Sequence, residues 1–115
     1  MKTVNEIYLE IGQNILNLIE DDEWVEAHLF IDRFHKTVKF NGNYILKDKT
    51  KKFLDVWNIK IESDSIHQLH AITTEGGHNR WNRLEFTLFP DFKFDIKFIW
   101  DQELQDEVDG YNRQI

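Results

Sequence analysis

Apolar residues recur at steps of three and four through the first segment: Val4, Ile7, Tyr8, Ile11, Ile15, Leu18 and Ile19, with Glu6, Glu10, Gln13, Asn14 and Asn17 largely between them. That period lays one apolar stripe along a helix of about five turns. Thr3 stands at its N-cap with Glu6 three residues on, the two halves of a capping box. Glu20, Asp21, Asp22 and Glu23 crowd the far end, where the helix dipole disfavours negative charge. The spacing therefore predicts an end between Leu18 and Glu20.

From Trp24 the period changes to two. Trp24, Glu26, His28, Phe30 and Asp32 alternate with Val25, Ala27, Leu29 and Ile31, a strand with one strongly apolar face. Val38 to Phe40 runs into Asn41-Gly42, and Tyr44 to Leu46 follows, the pattern of two strands joined by a type I′ turn. Lys47 to Lys52 reads as a lysine-rich connection, and Trp57, Ile59 and Ile61 alternate as a further short strand. Ser63 opens a second helix with Ile66 and Leu69 on one face, stopped by Gly76-Gly77. Leu84, Phe86 and Leu88 mark one strand, and Phe92 to Trp100 a longer one, joined by the Pro90-Asp91 turn. Leu104, Val108 and Tyr111 sit at helical spacing in the tail, a third helix that frays past Gly110.

The order predicts one domain over residues 1–115, since a chain of this length buries a single core. The fold class expected is α+β: a mainly antiparallel sheet of about five or six strands, two or three helices, and the N-terminal helix packed on the sheet. Trp24, Trp81 and Trp100 are assigned to the core, with Phe86, Phe94 and Phe98, while Phe89 and Phe92 beside the turn are the aromatics expected at the surface.

Charge changes this picture. Twenty-one acidic against 14 basic residues give a net −7, the wrong sign for gripping nucleic acid through its phosphates. The excess is uneven. Residues 32–62 carry eight basic and four acidic residues, net +4, and the remainder six and 17, net −11. Two clusters dominate: Glu20, Asp21, Asp22, Glu23 and Glu26, then Asp101, Glu103, Asp106, Glu107 and Asp109. At the ends of neighbouring elements they would build one negative surface that steers a basic partner. The candidate partner-binding residues are Asp21, Asp22, Glu23, Glu103, Asp106 and Glu107.

Candidate chemistry is sparse. With no cysteine, disulfides, thiolate metal sites and thiol nucleophiles are out. Neither a secretory signal in residues 1–11 nor an apolar membrane span is apparent, so a cytoplasmic location without membrane association is expected. Pro90-Asp91 and Asp95-Ile96-Lys97 spell elements of a nuclease superfamily. In one strand, however, Asp91 and Asp95 lie about 13 Å apart, too far to share a magnesium ion. His67 and His70 offer an i, i+3 pair, and a small metal-dependent hydrolase built on them is the alternative reading. Ser63 and Ser65 lack a nucleophile elbow and suit helix capping. No catalytic constellation or cofactor site is expected. A non-catalytic subunit of a larger assembly is a further alternative, and the oligomeric state is open.

The opening helix, the acidic stretch leading into Glu23-Trp24-x-x-Ala27, then Trp81-Asn82-x-Leu84-x-Phe86-x-Leu88 and Phe92-Lys93-Phe94-Asp95-Ile96-x-Phe98-x-Trp100-Asp101, resemble the YezG-like (domain of unknown function 600) immunity proteins. The resemblance covers residues 1–30 and 80–104 best. It implies an antitoxin that binds and neutralises a cognate secreted polymorphic toxin, often one with a nuclease domain.

Overall fold

The computed structural model describes residues 2–34, 36–77 and 80–113. Three helices and five strands follow in the order α1 (Val4–Leu18), β1 (Trp24–Arg33), β2 (Val38–Leu46), β3 (Lys51–Phe53), α2 (Ser63–Thr73), β4 (Arg83–Leu88), β5 (Phe94–Ile99) and α3 (Gln102–Arg113). The strands form one antiparallel sheet in the order β3-β2-β1-β4-β5, so the fold is α+β with α1 against the sheet. Among the described residues no helix is long and apolar enough to cross a membrane.

α1 begins as its sequence dictates. Thr3 Oγ1 accepts from Glu6 N and Glu6 Oε1 accepts from Thr3 N, both at 3.2 Å, which satisfies two helix-terminal donors at once. Ile7, Ile11 and Ile15, one stripe of this helix, are fully buried. They join Ala27, Leu29 and Ile31 of β1, Leu84, Phe86 and Leu88 of β4, and Ile66 and Leu69 of α2 in one core. The opposite sheet face carries Glu26, His28, Phe30, Asp32, Arg83, Glu85 and Thr87, none of them buried.

Glu10 and Asn14 on α1 hold the segment that enters α2. Glu10 Oε2 accepts from Glu62 N at 3.2 Å, Ser65 Oγ donates to Glu10 Oε1 at 3.1 Å, and Asn14 Oδ1 accepts from Lys60 N at 2.7 Å. Ser65 thus ties two helices together instead of capping one, and Glu62 occupies the N-cap of α2.

Two strand expectations are overturned. Asn41-Gly42 is no turn: β2 runs straight through it, with Gly42 opposite Leu29. A Cβ at Gly42 would stand 2.7 Å from the His28 carbonyl oxygen and 2.8 Å from Leu54 Cδ1, so glycine serves close packing there. The reversals fall elsewhere, where Phe34 N donates to Thr37 O and Leu46 N to Thr50 O, with Lys49 at φ 72°. The lysine-rich connection supplies β3, whereas Val56–Asn58 is a 3₁₀ turn that leaves Trp57 95% exposed. Lysines suit an edge strand because their charge discourages further pairing.

Candidate functional site

The two acidic segments lie at opposite ends of the sheet. The first precedes Trp24 at the start of β1. The second leaves β5 beside Arg83, which pairs with Asp32 near the other end of β1. A ten-residue strand spans about 30 Å, several Debye lengths at physiological salt, so the expected single negative surface is not formed.

Their surroundings differ as well. Asp21 accepts from Tyr44 Oη at 2.6 Å and pairs with Lys52 at 3.1 Å, and Glu23 pairs with Lys47 at 2.9 Å. The basic middle of the chain folds back through β2 and β3 onto this segment and neutralises part of it. The Tyr44 hydroxyl and then Lys52 hold the Asp21 carboxyl below its ordinary value. Burial first, and then the carboxylate beside it, push the Tyr44 phenol up to about 12. Asp22 stays exposed.

On α3, Glu103, Asp106 and Glu107 share one exposed helix face, and among the described residues none of the three is paired with a cation. Leu104, on a different face, is buried. Polar bonds anchor the base of this helix. Asn82 Nδ2 donates to Asp101 O and Asp101 N to Asn82 Oδ1, both at 2.8 Å, while Asp101 Oδ1 accepts from Leu104 N at 3.2 Å as an N-cap. Arg83 grips Asp32 through two nitrogens, at 2.6 and 3.2 Å, and Asp101 through a third at 2.9 Å. These carboxylates keep the Arg83 guanidinium above its ordinary pKa.

Between this end of the sheet and α3 opens a cleft of about 230 Å³, lined by Arg33, Phe34, His70, Arg80, Trp81 and Trp100 among others. Trp81 is buried as expected and donates through Nε1 to Thr73 Oγ1 at 2.8 Å. Trp100, assigned to the core from sequence, instead lies on the wall of this cleft, with the Arg80 guanidinium 3.8 Å above its ring.

His67 and His70 do not converge on a shared ligand. His67 Nδ1 accepts from Arg33 Nε at 3.0 Å, and His70 Nε2 donates to the Trp81 carbonyl at 3.0 Å. Burial, followed by the nearby Arg33 charge, lowers the His70 pKa. No group of three His, Cys, Asp or Glu able to hold a metal occurs among the described residues.

A second cleft, of about 250 Å³, runs between α1 and the β4–β5 hairpin and includes Tyr8, Leu9, Leu16, Phe92 and Phe94. Phe92 is 67% exposed and adopts φ 69° in the hairpin turn, a conformation that costs a phenylalanine strain. Phe94 and Phe98, expected in the core, remain 40% and 36% exposed because β5 is an edge strand that α1 covers only in part. Asp91 closes the turn by accepting from Lys93 N at 3.0 Å, and Asp95 stands exposed on β5.

No protein-family model matches the chain, and no curated protein matches it either. The resemblance to the YezG-like proteins rests on the residues quoted for it.

Proposed function

We propose that the chain is an immunity protein that binds and neutralises a cognate secreted toxin with a basic nuclease domain, α3 supplying the main electrostatic contact. The observation that carries this reading is the exposed and unneutralised face of Glu103, Asp106 and Glu107, fixed to the sheet through the Asn82–Asp101 bonds. An anionic stripe raises the encounter rate with a cationic surface, such as the nucleic-acid groove of a nuclease. Asp21, Asp22 and Glu23 contribute less, because lysines already neutralise two of them.

The test is co-expression with the product of the neighbouring gene, where a cognate toxin is expected. The expected result is survival of the producing cell and loss of nuclease activity on mixing the two proteins in equal amounts. A nuclease that stays fully active with this protein in excess contradicts the proposal.

A further inference from the structure

The cleft beside α3 has a charge opposite in sign to the molecule's net charge. Arg33 and Arg80 both line it, and among the described residues neither forms an ion pair with a carboxylate. In a chain of net −7 this is unexpected, since acids outnumber bases. Of the nearby acids, Asp32 and Asp101 pair with Arg83, while Asp109 accepts from the neutral Gln105 side-chain amide at 2.9 Å and forms no ion pair with Arg33 or Arg80.

Each guanidinium is also positioned. Arg33 donates through Nε to His67, and Arg80 stacks on Trp100. An arginine held by a neighbour loses less side-chain entropy when it binds an anion. Partial burial of Arg33 removes some of its hydration and leaves a charge that an anion would compensate. His70 does not supply the counter-charge: its ring donates to the Trp81 carbonyl. The remaining walls include Phe34 and Val108, which are apolar.

We infer that this cleft binds a small organic carboxylate, its head held by Arg33 and Arg80 and its apolar body against Phe34 and Val108. The volume accommodates a ligand of about ten heavy atoms. The shape of the recognition follows from the parts: a planar carboxylate matches the guanidinium fork, and Phe34 and Val108 offer contact to its apolar body.

The experiment is calorimetric titration of the full-length protein with benzoate, its neutral isostere benzamide, and inorganic phosphate. Benzoate is expected to saturate one site with a dissociation constant below about 10 mM, and benzamide to bind at least about tenfold more weakly. Arg80→Gln, at an exposed position that leaves the core untouched, is expected to weaken benzoate at least about tenfold without moving the thermal midpoint. Arg33→Gln is expected to do the same, and circular dichroism checks that it folds. Absence of saturation by benzoate, equal binding of benzamide, or unchanged affinity in folded Arg80→Gln each overturns the inference. Phosphate binding in preference to benzoate overturns the assignment of the apolar wall.

Discussion

The segments Glu20–Glu26 and Asp101–Asp109 each hold five acidic residues, yet they meet different surroundings in the fold. The first lies where the β2–β3 turn returns, so Lys47 and Lys52 reach Glu23 and Asp21. The second starts α3, where Asp101 caps the helix and the outward carboxylates meet no cation among the described residues. A charge cluster becomes a surface only if the topology keeps opposite charge away from it. Strand order settles this here, because β3 is at the far edge of the sheet from β5, which leads into α3.

Trp81 lies at the sheet end where α3 is anchored, and Trp81→Ala is expected to remove about 3–5 kcal/mol of stability in urea unfolding. Arg83→Ala severs the ties to Asp32 and Asp101, a network about a third open to water on its arginine side. A loss of about 1–2 kcal/mol is expected after solvent screening. If Arg83→Ala leaves stability unchanged, the Arg83 ion pairs take no part in anchoring α3, which then rests on the Asn82–Asp101 bonds alone.

The first segment has its own signature in pH. The Tyr44 phenol ionises in the folded protein at about 12, above its ordinary value of 10.0. Its contribution is therefore complete below pH 10 and is lost as pH rises towards 12. Tyr44→Phe is expected to lose this alkaline component in unfolding experiments between those values. Asp21 works in the opposite direction: held below its ordinary value, it stabilises above that value and loses the effect as pH falls through its folded one. The smallest effect is at the hairpin tip, where Phe92→Gly relieves the positive φ and is expected to gain up to about 1 kcal/mol in thermal unfolding.

The helix periods and the period-two strands were legible because each element buries a regular stripe: Ile7, Ile11 and Ile15 on α1, and Ala27, Leu29 and Ile31 on β1. Gly42 is not legible as a strand residue, because a strand glycine that makes room for Leu54 has the same sequence appearance as a turn glycine. The exposure of Phe94 and Phe98 is not legible either, because alternation marks a face without saying whether the strand is central or at an edge. Both acidic segments stood out in the sequence. Their separation did not, since it depends on strand register. The cleft was hidden for the same reason: Arg33 ends β1 and Arg80 precedes β4, and only the pairing of those strands brings them together.

The most direct test compares charge reversal at the two ends in binding to the proposed partner, the nuclease domain of a cognate toxin. One variant carries Glu103→Lys, Asp106→Lys and Glu107→Lys, the other Asp21→Lys, Asp22→Lys and Glu23→Lys. Association rates are measured by stopped flow at low and high salt, with folding of each variant verified. The α3 variant is expected to associate at least about tenfold more slowly at low salt, with the gap closing as salt rises, and the first-segment variant less than about threefold. Equal slowing, or slowing by the first-segment variant alone, contradicts the account.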